Sequence, residues 1–259
     1  MTSYKPMSDK PSVRSPWFWV PSLYFAQGIP YVAVMIVSVL MYKRLGVSNT
    51  DIALYTSWLN LPWVIKPFWS PFVDLLKTKR WWVVTMQLLI GAGLAGVAFT
   101  IPTTFFFQAS LAVFWLLAFS SATHDIAADG FYMLALDSHE QAFFVGIRST
   151  FYRIAIIAGQ GVLVMFAGFL ENSTGNIPLA WSVTFFILGG LFLALFLYHR
   201  YILPLPKGDK PSATVTPSTI LKEFFATFAS FFKKKQAFVA ILFMLLYLSL
   251  IHISEPTRP

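Results

Sequence analysis

The chain has 259 residues, of which 57% are hydrophobic and only 12% are charged, and its formal net charge is +8. A soluble domain carries about 25% charged residues, so this composition excludes a disordered tail, a coiled coil and an ordinary cytosolic enzyme. The apolar surface exceeds what one soluble core could bury, and lipid is the solvent that suits it. We therefore predict an all-α membrane protein. The absence of cysteine excludes a disulfide framework and a thiolate metal site.

Long stretches without Asp, Glu, Lys or Arg divide the chain into predicted membrane helices. A helix needs about 20 mostly apolar residues to cross a bilayer, and turn-forming or basic residues separate the stretches. Residues 17–199 are therefore a predicted six-helix transmembrane bundle, preceded by a cytoplasmic N-terminus at 1–16. The predicted helices cover residues 17–42, 52–75, 81–101, 104–128, 146–170 and 178–199.

Positive charge is distributed unevenly between the predicted loops, which indicates the orientation of the bundle. The end that carries the N-terminus holds most of the lysines and arginines, whereas the opposite end has only Lys43 and Arg44. Cytoplasmic loops of membrane proteins are rich in Lys and Arg, so we expect the N-terminus to be cytoplasmic. The net charge then needs no nucleic acid as a partner. The partner that it implies is the lipid bilayer.

The chain beyond the sixth predicted helix differs in composition. Residues 200–236 are a predicted cytoplasmic connector, in which a proline-containing linker precedes phenylalanines at helical spacing beside lysines. This pattern is typical of a basic amphipathic helix on a membrane surface, which either couples two halves of a bundle or has no mechanical role. Residues 237–247 are the predicted start of a seventh helix. Residues 248–259 resemble a translated sequencing adapter, so we expect a missing C-terminal half.

Charged side chains inside membrane helices are costly and usually face a cavity or a partner. Asp125 and Asp129 are four residues apart, on one face of the predicted fourth helix. They form either a proton-binding pair, because two close carboxylates repel, or structural ion pairs. Arg153, about one turn inside the fifth helix, either pairs with one of them or anchors substrate. Lys66 in the second helix either faces the same site or extends toward the headgroups.

The second predicted helix ends beside a short basic loop. Pro62, Pro67 and Pro71 are expected to kink this helix. The acidic residue at its inner end and the bases that follow resemble the signature cytoplasmic loop of major facilitator carriers. That resemblance implies a gate that holds one conformation by charge contacts. The predicted gating residues are Asp74, Lys79 and Arg80.

Polar residues in the first, second and fifth helices are candidates for a substrate cavity. Gly28 and Pro30 are expected to interrupt the first helix, and broken helices are where carriers place their sites; the alternative is a simple kink. His124 is expected to be a hydrogen-bonding residue near the end of the fourth helix rather than a metal ligand. The predicted cavity residues are Tyr24, Gln27, Tyr31, Asn60, Tyr152 and Gln160.

Six helices, a basic connector and a further apolar run match one half of a major facilitator carrier and the start of the second half. Four segments together resemble the AmpG-type muropeptide permeases, in the peptide/acetyl-CoA transporter branch of that superfamily. They read QGIP at 27–30, KPFWSPFVD at 66–74, ATHDIAAD at 122–129 and YR at 152–153. The resemblance implies proton-driven import of anhydromuropeptides across a bacterial inner membrane, with protons and a small molecule as partners and no cofactor.

Two other functions are compatible with these residues. One is a carrier for another sugar, a peptide or an acyl-nucleotide. The other is an intramembrane enzyme in which Asp125 and Asp129 bind Mg²⁺, as acids do in membrane prenyltransferases. Such an enzyme needs a second acidic cluster on another helix, and the remaining acids of this sequence are scattered. We therefore expect a transporter that is not an enzyme and holds no metal.

Overall fold

The computed structural model describes residues 15–210 and, later in the chain, the helical residues 226, 229, 230, 233, 239, 242 and 243. Most of the predicted N-terminal segment 1–16 and the tail 248–259 lie outside the described residues. The amphipathic helix of the connector and the start of the seventh helix fall outside them too, except at those seven positions. The chain divides into two units, residues 1–212 and 213–259.

Helices account for nearly all of residues 15–210, and this part of the chain contains no strand. Every helical segment except the second is long and apolar enough to cross a membrane. The prediction of an all-α membrane protein is confirmed, and the chain passes the membrane several times. The segments are α1 (Pro16–Arg44), α2 (residues 49–76), α3 (Lys79–Thr100), α4 (Phe106–Ala135), α5 (Ser138–Thr174) and α6 (Ile177–Ile202).

The second segment, α2, is broken into short helical pieces, as its prolines predict. Pro62, Pro67 and Pro71 each stand at the first or second position of a new piece, where the missing backbone N–H costs least. Lys66 begins the 3-10 turn in the middle of this broken region. The pieces are Asn49–Thr56, Ser57–Asn60, Leu61–Val64, Lys66–Phe68 and Ser70–Leu76.

The expected interruption of α1 at Gly28 and Pro30 is wrong. An α-helix runs without a break from Val20 to Val32, and a π-helical stretch follows only at Ala33–Val37. The reason is close packing: a Cβ at Gly28 would lie 2.7 Å from the Ala155 Cβ. Glycine therefore lets α1 lie directly on α5, and this contact supports the helix through both residues.

The boundary between α4 and α5 also differs from the expectation. The fourth helix continues to Ala135 and the fifth begins at Ser138, so only two residues join them. Asp137 accepts a hydrogen bond from the Glu140 amide, and the Glu140 side chain accepts one from the Asp137 amide. This capping box starts α5 well before its apolar stretch. His124 is consequently inside α4 and not near its end.

Helix packing creates two apolar clusters, one toward each end of the bundle. The helix α3 lies between α4 and α6, and α1 packs on α5 and α4. Val83 and Phe131 belong to the cluster near the basic end, defined by the loops at 77–78 and 203–210. Ile90 and Phe114 belong to the cluster toward the opposite end. Asp129 of α4 lies next to the basic-end cluster, between its members Ala128 and Phe131.

Candidate functional site

A buried ion pair joins the broken helix α2 to α4. The Lys66 ammonium donates a hydrogen bond to Asp125 Oδ2 at 3.0 Å. Asp125 is only 7% exposed, and Lys66 is the cation that forms an ion pair with it among the described residues. The carboxylate thus depends on one lysine for its charge balance, and that lysine is presented by the break in α2.

Asp129, one turn along α4, has a different set of partners. The Tyr24 hydroxyl donates to Asp129 Oδ1 at 2.9 Å. Arg148 of α5 donates from Nη1 to the Tyr24 oxygen at 3.0 Å and lies 3.4 Å from Asp129 Oδ1. Its guanidinium also lies over the Tyr24 and Tyr132 rings, 5.2 and 5.0 Å from their centroids. The carboxylate, the phenol and the guanidinium therefore form one cluster across α1, α4 and α5.

A cavity of about 390 Å³ opens beside this cluster. Two arginines and two tyrosines give it a positive and aromatic wall. Asp129 supplies the negative charge, and the Gln27 side-chain oxygen is buried without a donor among the described residues. Such a site suits an anionic molecule with polar groups. The cavity is lined by Tyr24, Gln27, Asp129, Arg148, Ser149, Tyr152 and Arg153.

Asp129 also lines a second cavity, of about 460 Å³, toward the basic end. There the Lys79 ammonium forms an ion pair with Asp74. Gly130 makes room for it, because a Cβ at that position would lie 2.9 Å from Lys79 Cε. The pair therefore joins α2 and α3 where this cavity meets the basic end. The cavity is lined by Lys66, Ser70, Asp74, Lys79, Ile126, Asp129, Gly130, Met133 and Leu134.

The N-terminus of α3 is bound to the segment that follows α6. Asp209 accepts hydrogen bonds from the Lys79 and Arg80 amides at 2.6 and 3.0 Å, which satisfies two of the free N–H groups of the helix. The Arg80 side chain donates to the carbonyls of Arg200 and Leu203 at the end of α6. The three predicted gating residues therefore lie together at the basic end.

Some of the predicted site residues line the first cavity and others do not. Tyr24, Gln27 and Tyr152 line the first cavity. Arg153 lines it too, but of its two predicted roles the ion pair with an α4 aspartate is made by Arg148 instead, because a separation of five residues points the two side chains in different directions around the helix. The anchoring role of Arg153 stays a prediction.

Three predicted cavity residues line neither of these two cavities. The Tyr31 ring packs edge-on against Trp63, at 5.2 Å between centroids. Asn60 lies in a 3-10 turn of α2. Gln160 is two turns beyond Tyr152, in the π-helical stretch of α5. Their part in substrate binding stays a prediction.

Sequence reasoning missed a buried hydrogen-bonded chain that crosses four helices. The Ser22 hydroxyl of α1 lies 3.0 Å from His199 Nε2, and His199 Nδ1 lies 3.0 Å from Gln87 Oε1. Gln87 Nε2 lies 3.1 Å from His124 Nε2. The glutamine and both histidines are 0% exposed. The available signal was that Gln87, His124 and His199 are polar residues inside otherwise apolar helices. Their spacing in the sequence, however, does not indicate that they contact one another.

The amide of Gln87 gives this chain a direction. An amide nitrogen only donates and an amide oxygen only accepts, so His124 accepts at Nε2 and His199 donates from Nδ1. In neutral rings, His199 Nε2 is then an acceptor for Ser22, and His124 carries its hydrogen on Nδ1. That Nδ1 has no partner among the described residues. Reversal of the amide would reverse the direction of all three hydrogen bonds.

A second unpredicted cluster lies at the opposite end. Arg44 donates from Nε to Glu171 Oε2 at 2.9 Å, and its Nη2 also binds this oxygen. Trp181 Nε1 donates to Glu171 Oε1 at 2.7 Å. These contacts join α1, α5 and α6. The available signal was Glu171 itself, which is the single acid between two long apolar stretches.

The charges of the site have chemical consequences. Both aspartates of α4 bind a cationic side chain of the protein itself, Lys66 for Asp125 and Arg148 for Asp129. This arrangement disfavours the magnesium alternative, because metal ligation would have to displace both cations. It allows binding of an anion at the arginines and of a proton at a carboxylate that loses its cation.

Comparison with known proteins gives relatives among permeases. Over 233 residues the chain is 24% identical to the "Anhydromuropeptide permease" of Escherichia coli strain K12, covering 87% of this chain and 44% of that protein. It is 28% identical over 244 residues to the "Putative transporter AmpG 4" of Rickettsia conorii, covering 87% and 54% respectively. An uncharacterized protein of Schizosaccharomyces pombe is 28% identical over 145 residues, covering 50% and 28%.

The chain thus spans about half the length of the permeases that it matches. A family model described as BT1 family matches residues 25–257. Because that match extends over most of the sequence, the chain belongs to the BT1 family.

Proposed function

We propose that the chain is part of a proton-coupled secondary transporter that imports cell-wall-derived anhydromuropeptides across a bacterial inner membrane. The names of the relatives from Escherichia coli and Rickettsia conorii support a transporter of this type. The basic loops at one end support an N-terminus in the cytoplasm. The proposal treats the chain as one half of the carrier, with a second half that completes the cavity.

The observation that carries the proposal is the cavity beside Asp129. A muropeptide combines sugar rings with a peptide, whose carboxylates are negative at neutral pH. Arg148 and Arg153 on the cavity wall suit such carboxylates, because guanidinium groups bind them through paired hydrogen bonds. The ring of Tyr152 provides an apolar face for a sugar ring. Each substrate part thus has a complementary group.

Coupling to protons follows from competition for Arg148. The Arg148 guanidinium contacts both Asp129 and the Tyr24 hydroxyl. A substrate carboxylate that binds Arg148 draws it away from Asp129. The carboxylate of Asp129 then loses its neighbouring positive charge, and a proton becomes its replacement. Substrate and proton consequently bind together, as import driven by a proton gradient requires.

Release of the proton from Asp129 to the cytoplasm is proposed to run through the second cavity, which lies toward the basic end. Asp129 lines both cavities, so a proton that binds there together with the substrate can leave through the second cavity. The Asp74–Lys79 pair lies at the basic end of this route. In the proposal it acts as the gate: closure holds α2 against α3, and opening breaks the pair.

Uptake measurements in proteoliposomes test this function. The protein is a full-length carrier that contains these residues, and the substrate is radiolabelled anhydromuropeptide with an imposed pH gradient. Asp129→Asn and Asp125→Asn should abolish gradient-driven uptake while the protein stays folded. Asp51→Asn is the matched control, because Asp51 is exposed near the opposite end, and it should leave uptake unchanged.

Two results would overturn parts of the proposal. Normal uptake by both aspartate variants removes the proton site. Uptake by the unaltered carrier that ignores the pH gradient, or that favours another sugar, a peptide or an acyl-nucleotide, identifies the carrier as a different facilitator.

Arg148→Gln should weaken substrate binding by about tenfold or more, as expected for the loss of a charge-assisted hydrogen bond.

A further inference from the structure

A groove of about 590 Å³ lies outside the two cavities, between the start of α3 and the end of α6 at the basic end. It belongs to neither the substrate site nor the gate pair described above. Several of its residues are exposed, among them Tyr201 at 70% and Leu205 at 80%. The groove is lined by Thr78, Arg80, Trp81, Val84, Thr85, Leu88, Phe196, Arg200, Tyr201, Leu205, Pro206 and Asp209.

One end of this groove is polar and carries positive charge. Arg80 is held there by hydrogen bonds to the carbonyls of Arg200 and Leu203. Arg200 lies in the last turn of α6 with an exposed side chain. The acid of the groove, Asp209, accepts from two backbone amides of α3, so its charge is directed at the helix terminus. Two arginines therefore set the charge of the polar end.

The other end of the groove is apolar. Val84 and Leu88 continue along α3 at helical spacing from Trp81, and Phe196 faces them from α6. Leu88 lies eight residues beyond Arg80, which is about 12 Å along a helix axis. The exposed Trp81 and Tyr201 rings stand near the polar end, where aromatic residues of membrane proteins meet the headgroups. The positive charge thus lies at one end of the groove, and the apolar side chains lie at the other end.

We propose that this groove binds an anionic phospholipid, with its phosphate at Arg80 and Arg200 and one acyl chain along Val84 and Leu88. Charge complementarity selects the headgroup, because anionic lipids are attracted to lysines and arginines at the membrane surface. The apolar end favours a lipid over a soluble phosphate, because a soluble phosphate would contact only the arginines. Bound there, the lipid bridges the loop at residues 77–78 before α3 and the end of α6.

Quenching of tryptophan fluorescence by brominated lipids tests this site. The whole chain is placed in vesicles of phosphatidylcholine and phosphatidylglycerol, with bromine on the acyl chains of one lipid at a time. The Trp81 contribution is the difference between the unaltered chain and Trp81→Phe. Brominated phosphatidylglycerol should quench this contribution at lower mole fraction than brominated phosphatidylcholine. Arg200→Gln should weaken that preference about fivefold, the effect of one arginine at an anionic surface.

Matched controls separate the proposed site from simpler explanations. Lys207→Gln removes a charge from the same loop region, but Lys207 does not line the groove, so quenching should be unchanged. Arg200→Lys should retain part of the preference. Equal quenching by both lipids, or an equal loss in Lys207→Gln, would overturn the proposal in favour of non-specific surface charge. Reversal of quenching by soluble glycerol phosphate would show an anion site without a lipid.

Discussion

The contribution of the Lys66–Asp125 ion pair to the free energy of unfolding can be tested directly by substitution. Lys66→Met leaves a carboxylate that is 7% exposed without its cation. Breaking a buried pair costs about 3–5 kcal/mol, and we expect about 3 kcal/mol here because the lysine side chain is 30% exposed. Asp125→Leu alone should cost only about 1 kcal/mol, since the remaining lysine can extend toward water.

The double variant Lys66→Met/Asp125→Leu separates the interaction energy of the two side chains from the effect of losing each one alone. A charge-free replacement of a buried pair is close to neutral, so the double variant should be destabilised by about 1 kcal/mol. The coupling energy is then about 3 kcal/mol. Equilibrium unfolding in mixed detergent micelles, followed by tryptophan fluorescence, measures all three free energies. Lys43→Met, at an exposed lysine of the opposite end, serves as a control. Additive effects of the two substitutions would refute the pairing.

Three further substitutions test the packing and the hydrogen bonds. Gln87→Leu should destabilise the chain by about 2–4 kcal/mol, because it removes the partners of two buried histidines; unchanged unfolding would show that the chain of hydrogen bonds does not form. Gly28→Ala should cost about 1–3 kcal/mol through overpacking against α5, whereas Gly146→Ala, whose Cβ would meet nothing within 4 Å, should stabilise by up to about 1 kcal/mol. Equal effects at the two glycines would contradict the close approach. Glu171→Gln should cost about 1–2 kcal/mol, as it keeps a partner for Trp181 but loses the charge that binds Arg44; a neutral effect in unfolding measurements would show that the ion pair contributes nothing.

The sequence predicted the helices well because membrane helices are read from long uncharged stretches. It placed α3 and α6 within a few residues of their observed ends. It ended α4 too early and began α5 too late, because a helix can continue through charged residues beyond its uncharged stretch. The capping box of Asp137 and Glu140 was the local signal for the true boundary.

The site was predictable in part. Intramembrane charge identified Asp125, Asp129 and Lys66 as residues that need partners, and the structure supplies those partners. The choice of Arg148 over Arg153 depends on the helix rotation that close packing at Gly28 sets, and no sequence spacing reveals it. Likewise, the buried chain through Gln87 joins four helices, so its members are far apart in sequence and only tertiary packing brings them together.

The central claim is that Asp129 takes up a proton from solution when substrate binds Arg148. Isothermal titration of anhydromuropeptide in buffers of different ionisation enthalpy measures the protons taken up with the substrate. We predict net proton uptake by the full-length carrier near neutral pH, and none in Asp129→Asn. Substrate binding without any dependence on the buffer, or the same proton uptake in Asp129→Asn, would contradict the claim.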